Sequence, residues 1–443
     1  MEILDPILRL TRLGRFGDAL RAFDEVKANI SLRPSFEVLR AHVLEQVGHA
    51  GPALALATTL LKSKHLTNAQ KGECEFIVGK ILFEEGDAEM GLGHLQRAAL
   101  AALQTTDLHA LFGAKLFAFV ILSERSGPAA GASAIADLRQ IATKLGDPEV
   151  TARLHLFVAQ AEAKRGLLEN ATRHTALARG ILKASQNVYL AAFVANLDLA
   201  VTVLRSEFET AETTGLRAIE FAEQSGVGKI RKAVFGNMGN LFCELGDFER
   251  ATEYFENALA IPPANGANTT AVLESLARVH LLQRRADSCL SVLDRIEGSL
   301  RAEQDRLSYE QRYSALTRIH LLTQQRRLDQ ALLGTNSVLE LAERAGDGLL
   351  RTQVQLTRAD LFRRLGQTQS SMALIAEIVP GLTGLTPDLY ARSEQVCACA
   401  LGLGGGELHY SRARRVYQSI GSVPGLQELE SSWNEAKTAQ ASH

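Results

Sequence analysis

The sequence is poor in the residues that interrupt helices. Only ten prolines occur in 443 residues, and few runs alternate polar with apolar side chains. A chain built mainly of strands is therefore excluded as a first expectation. An excess of one charge is missing too: 48 Lys and Arg stand against 50 Asp and Glu, for a net −2. That balance argues against a chain held on nucleic acid or on a membrane surface by bulk electrostatics. Cysteine is too sparse and scattered for a disulfide framework. Cys74, Cys243, Cys289, Cys397 and Cys399 are odd in number and sit in apolar helical stretches, so reduced thiols are expected. Cys397 and Cys399 are two apart, which on a helix points them away from each other. No long hydrophobic run exists. The most apolar window, 110–122, is interrupted by Lys115 and is too short to span a bilayer. Residues 1–6 carry neither the basic nor the apolar segment of a secretory signal. A soluble, cytoplasmic chain with no membrane partner is the expectation.

What the sequence has in abundance is helix formers and a period. Apolar residues make up 46% of it, and Ala, Leu, Glu, Arg and Gln are plentiful. Leu13-Gly14-Arg15-Phe16-Gly17-Asp18-Ala19 and Leu245-Gly246-Asp247-Phe248-Glu249-Arg250-Ala251 have the same form, closing one apolar-periodic stretch and opening another. Similar turns centre on Gly48, Gly86, Ser126 or Gly127, Gly166, Ser206, Arg284, Arg326, Gly366 and Gly404. From Gly14 onward the eleven centres are spaced 34, 38, 40, 40, 40, 40, 38, 42, 40 and 38 residues apart. Glycine at a helix end takes the left-handed conformation that satisfies the last carbonyls. Five positions later a small residue recurs (Ala19, Ala53, Ala171, Ala211, Ala251, Ala331), where a second helix would approach the first closely. Each unit thus reads as helix, tight turn, helix, looser link, and such units stack on their neighbours.

One unit carries a more specific signature. Phe235-x2-Met238-Gly239-x2-Phe242 is followed by Ala251-x3-Phe255, then by Ala258 and Pro263, and this pattern resembles the tetratricopeptide (TPR) repeat. The other units share only the turn, the small residues and the period. That period is closer to the long TPR variants of bacterial regulatory proteins; HEAT repeats share it and are the alternative fold. The resemblance implies an all-α, right-handed α-solenoid of ten to eleven antiparallel helix pairs. Residues 1–430 would form one solenoid, with halves of about 1–225 and 226–430. Residues 431–443, with the only tryptophan, Trp433, would form a capping segment and disordered tail.

Motifs for chemistry are decoys. Gly226-Val227-Gly228-Lys229 lacks the first glycine of a phosphate loop, has Ile230 where Ser or Thr is needed, and follows no strand. Gly402-Leu403-Gly404-Gly405-Gly406-Glu407 is no dinucleotide fingerprint. No histidine pair has metal-ligand spacing; His280 and His320 recur 40 apart as packed core positions. No enzyme activity, catalytic residue, metal or cofactor is expected.

Binding is expected in the concave groove. Leu276-Ala277-Arg278, Leu316-Thr317-Arg318 and Leu356-Thr357-Arg358 align without gaps, with arginines 40 apart, and the same slot reads as Asn240 in the preceding unit and as Gln160 and Lys80 earlier. In TPR proteins this slot faces the groove, so Asn240, Arg278, Arg318 and Arg358, with Glu274 nearby, form a candidate partner-binding ladder for carboxylate or phosphate. The alternatives are that acids such as Glu274 neutralise the arginines across units, or that they are simply solvated. Arg284, Arg285, Arg326, Arg327, Arg363 and Arg364 mark a second, basic edge at the turns, which either complements helix C-termini or docks an acidic partner. Direct nucleic-acid binding is disfavoured because no aromatics interleave. The functional expectation is a scaffold or adaptor binding a protein or peptide, an acidic one among the candidates, in a bacterial regulatory system. The alternative is a sensor of a small anion within a larger transcription regulator.

Overall fold

The computed structural model describes residues 4–26, 34–125, 128–262, 267–300, 303–382 and 386–441. Among them helices pair in sequence: α1 (Leu4–Arg12) with α2 (Phe16–Glu25), α3 (Pro34–Val47) with α4 (Ala50–Leu61), α5 (Asn68–Glu84) with α6 (Ala88–Gln104), α7 (Leu108–Arg125) with α8 (Pro128–Leu145). The middle pairs are α9 (Pro148–Ala163) with α10 (Leu168–Ile181), α11 (Val188–Leu204) with α12 (Phe208–Ser225), and α13 (Gly228–Glu244) with α14 (Phe248–Leu259). Then come α15 (Ala267–Leu282) with α16 (Ala286–Glu297), α17 (Tyr309–Gln324) with α18 (Leu328–Ala345), α19 (Gly348–Arg364) with α20 (Thr368–Ile378), and α21 (Pro387–Leu401) with α22 (Glu407–Ile420). A single helix, α23 (Val423–Ala441), follows; it runs unbroken through residue 431 and stacks Trp433 on Tyr410 at 5.3 Å. The fold is an all-α solenoid of eleven described helix pairs.

The turns fall where the sequence spacing put them, apart from Ser126 and Gly127, which lie outside the described residues, as does Pro263. Gly14, Gly48, Gly86, Gly166, Gly246 and Gly366 all have positive φ. Ser206, Arg284 and Arg326 hold the same conformation at φ 59°, 59° and 61° despite their side chains, each at a cost of about 1 kcal/mol. In the last turn the positive φ belongs to Gly402 (58°), the start of a 3-10 turn, rather than to Gly404.

The small residues after each turn are needed for close packing. Ala19, Ala53, Ala171, Ala211, Ala251 and Ala331 are fully buried. A Cβ on Gly239 would lie 2.4 Å from the Phe255 ring, so the aromatic seats directly on glycine backbone. The two helices of a pair differ. Second helices such as α14 bury one stripe, Ala251, Phe255 and Ala258, whereas first helices such as α11 bury residues all round. First helices are therefore the inner layer and second helices the outer one.

The solenoid also winds onto itself. The turns of the first, second and fifth pairs touch the start of a first helix five pairs on. Val188 N–H donates to Leu13 O at 2.9 Å, and Gly348 N–H to Arg165 O at 3.2 Å. Gly166 leaves no room for a side chain, since its Cβ would fall 2.2 Å from Leu349 Cβ. The Gly226-Val227-Gly228-Lys229 segment belongs to the same seam. A Cβ on Gly226 would sit 2.6 Å from Gly17 Cα, and one on Gly228 would sit 2.8 Å from Val47 O. Lys229 crosses the seam to pair with Glu45 and Glu84, while Lys80 meets Glu45 at 2.7 Å. Burial alone would raise the Glu45 pKa, but Lys229 and Lys80 outweigh it and hold the carboxyl down at about 2. Successive superhelical turns thus close on one another around an inner layer of first helices, whose inward side is the channel.

Candidate functional site

The C-terminal half of this channel holds a cavity of about 300 Å³. Helices α17, α19 and α21 supply its inner wall with His320, Thr357, Asp360 and Arg392, and α23 closes its end with Glu428 and Glu435. Arg392 Nη2 donates to Thr357 Oγ1 at 3.0 Å and lies 3.1 Å from His320 Nε2. Burial, Arg392 and Arg278 together push the His320 pKa down to about 3, so the ring is neutral and accepts from the guanidinium. Arg392 therefore faces the cavity as a cation whose hydrogen-bond partners are neutral. Asp388, one turn earlier on α21, is pushed up to about 6 by burial and by nearby Glu244, against the pull of Arg392 and Arg278. It changes charge close to neutrality, beside the cation.

The expected ladder divides. Arg278 pairs with Glu244, whose side chain lines the cavity. Glu274 is buried, accepts from Thr317 Oγ1 at 2.9 Å, and has its pKa raised by burial. Asn240 Oδ1 is buried with no hydrogen-bond partner. Arg318 and Arg358 do not line the cavity. Arg318 turns to Asp294 on α16 at 2.8 Å, and Arg358 to Asn336 on α18 at 3.0 Å, each on the second helix of the preceding pair. The alignment at a constant 40 caused the difference. Arg278 and Asn240 lie six residues before their turns, but Arg318 and Arg358 lie eight before theirs, because the spacing from Arg284 to Arg326 is 42. Two residues on a helix are about 200° apart around the axis. The slot six before the turn holds Lys80, Gln160, Asn240, Arg278, His320 and Asp360. Counting from each turn would have placed His320 and Asp360 in the channel.

The basic edge is largely matched by the chain's own acids. Arg326 meets Glu435 at 2.8 Å, and Arg364 meets Asp360 at 2.6 Å and Glu435 at 3.3 Å. Arg363 meets Asp360 at 2.7 Å. Arg284, Arg326 and Arg364 line the cavity, whereas Arg285 and Arg327 are exposed at the starts of α16 and α18. Arg392 and Asp388 were missed by sequence reasoning because they lie in the glycine-rich last pair, where the turn is displaced.

All five cysteines are buried and free, and burial raises their pKa values to about 11 or 12. Among the described residues no group of three His, Cys, Asp or Glu could hold a metal ion, and no helix is long and apolar enough to cross a membrane.

Fold and channel together define an all-α solenoid of stacked antiparallel helix pairs. No protein-family model matches the sequence, and no curated protein matches it. Among solved structures it is similar to a Rap protein complexed with competence and sporulation factor. That alignment covers 98% of each chain at 16% identity, with a TM-score of 0.38. It is also similar to human IFIT1, solved as a dimer with m7Gppp-AAAA. There the alignment covers 88% of this chain and 92% of that one at 12% identity, with a TM-score of 0.46. At these values the likenesses assign no function to any residue here.

Proposed function

We propose that the protein is a non-catalytic regulatory adaptor that holds an extended peptide segment of a partner in its C-terminal channel, inside a bacterial cell. One observation carries this reading: among the described residues, Arg392 faces a cavity with only neutral hydrogen-bond partners. A guanidinium in that state is matched by a carboxylate, from an acidic side chain or a chain end. A cavity of about 300 Å³ holds a short extended segment rather than a folded domain. The second reading, a small organic or phosphorylated anion, rests on the same arginine.

A displayed peptide library with free and amidated C-termini tests it. Carboxylate-bearing peptides should be enriched, and Arg392→Gln should weaken the best binder about tenfold or more, the scale of a lost charge-assisted pair. If no peptide is enriched but a small anion binds with the same Arg392 dependence, the sensor reading replaces the adaptor. An oligonucleotide binding that way would overturn both. If Arg392→Gln changes nothing, the site is wrong.

A further inference from the structure

The N-terminal half of the channel contains a second, larger cavity, of about 600 Å³, between α1, α3, α5, α7, α9 and α11. Its chemistry differs from that of the cavity around Arg392. The floor is aromatic. Phe76, Phe117, Phe157 and Phe193, on four successive first helices, stand edge to face with centroids 5.5, 5.6 and 5.2 Å apart. Tyr189 and Phe16 continue the row at 6.3 and 6.0 Å. Of these, Phe16, Phe76, Phe117 and Tyr189 line the cavity.

Each carboxylate that lines this cavity is already engaged. Asp107 accepts from Ala110 N–H at 3.0 Å, and Asp147 from Glu149 N–H at 2.8 Å, each at a helix start. Glu149 accepts from Ser185 Oγ at 2.6 Å and Asn187 Nδ2 at 3.1 Å. Glu73 lies 3.3 Å from His42 Nδ1. Lys80 is likewise spent, on Glu45 and on the faces of Phe76 and Phe117. Donors on the wall are left over: the exposed Arg12 guanidinium has no hydrogen bond or ion pair among the described residues, and two more are less exposed. Among the described residues the half-buried Arg153 guanidinium has no hydrogen bond or ion pair, and the Tyr189 hydroxyl has no hydrogen bond. They are near enough for Arg153 to pull on the ionisation of Tyr189. An aromatic-floored cavity whose carboxylates are engaged and whose wall offers the Arg153 guanidinium beside the Tyr189 hydroxyl, with Arg12 also unpaired, is complementary to a ligand with an apolar body and one anionic end.

We infer that this cavity is a binding site for a small organic acid with an aromatic or otherwise flat apolar body, its carboxylate held by Arg153 and Tyr189. The size fits: ligand sites of this kind fall in the range of roughly 300–1,000 Å³. The site stands apart from the peptide reading above, since it uses none of the residues around Arg392.

The test fixes the apolar body and changes only the charge. 1-Naphthaleneacetate and its uncharged amide, 1-naphthaleneacetamide, are titrated into the full chain by calorimetry. The acetate should bind at least about tenfold tighter than the amide. Arg153→Gln should abolish that preference while leaving amide binding within about twofold. Tyr189→Phe, which keeps the ring packing, should weaken the acetate about threefold. Arg392→Gln should leave both ligands unchanged, and an unaltered circular-dichroism melt confirms each variant is folded. Equal affinity for acetate and amide, no binding of either, a preference that survives Arg153→Gln, or one that falls with Arg392→Gln would each overturn the inference.

Discussion

The two halves of the channel are built from the same repeat and have opposite linings. Nine residues before the turn, the fourth and fifth pairs carry Phe117 and Phe157, whereas the ninth and tenth carry Thr317 and Thr357. The first pair of rings interlocks at 5.6 Å. In the second, Thr317 bonds to buried Glu274 and Thr357 receives Arg392. A repeat fixes the backbone frame and leaves the channel-facing slots free to diverge. The turns diverge in the same way. Gly14, Gly166 and Gly246 are pressed against residues five pairs on or against α23. Arg284 and Arg326 hold the same backbone conformation with their side chains exposed. The described chain has no pair five further on to press against them. Close contact thus excludes a side chain at Gly14, Gly166 and Gly246, while Ser206, Arg284 and Arg326 hold the same conformation with one.

The strongest way to break this comparison is to cut the seam. Lys229→Ala leaves Glu84 and Glu45 buried with less compensation and should cost about 3–5 kcal/mol in chemical denaturation. It should also enlarge the radius of gyration in solution scattering as the turns separate. Glycine substitutions sharpen the same point. Gly166→Ala should cost about 3 kcal/mol, of which about 1 is left-handed strain and the rest collision with Leu349. Gly366→Ala, at φ +78° with nothing within 4 Å of the new Cβ, should cost only the strain of about 1 kcal/mol. Equal losses at the two sites would mean that the seam does not constrain the turns.

A subtler effect concerns charge in the C-terminal cavity. Asp388 has a pKa raised to about 6, so it is neutral below that pH and anionic above it. Once charged it competes with an anionic ligand for Arg392. A carboxylate ligand should therefore bind about fivefold tighter at pH 5 than at pH 7.5, a difference of roughly 1 kcal/mol for a screened charge nearby. Asp388→Asn should flatten the profile. The smallest effect is expected at Arg318. Its pair with Asp294 is exposed, so Arg318→Ala should change stability by less than about 1 kcal/mol and leave ligand affinity unaltered. A large loss of affinity would return Arg318 to the binding surface.

The helical pairs were legible because their signals are local. A glycine that must be left-handed, and an alanine that must let two helices touch, act within one unit and recur with the chain's period. The ladder was legible only in part. Arg278, Arg318 and Arg358 recur 40 apart, but only Arg278 shares with Asn240 its distance of six residues before the turn. The longer spacing before Arg326 turned the helix face by about 200° between counting by the period and counting from the turn. Arg392 and Asp388 offered no periodic signal, since Gly402 displaces the turn from which they would be counted.

By itself the sequence determined that the chain is a stack of helix pairs, where most pairs turn, and which stripe of the second helices is apolar, because those choices are made between residues a few positions apart. Only the tertiary structure decided that the stack closes on itself every five pairs and that Gly226, Gly228 and Lys229 form a seam. It alone placed Arg392 and Arg153 in two separate cavities. Those contacts join residues far apart along the chain, and their geometry depends on the small rotation between neighbouring pairs accumulated over a full superhelical turn.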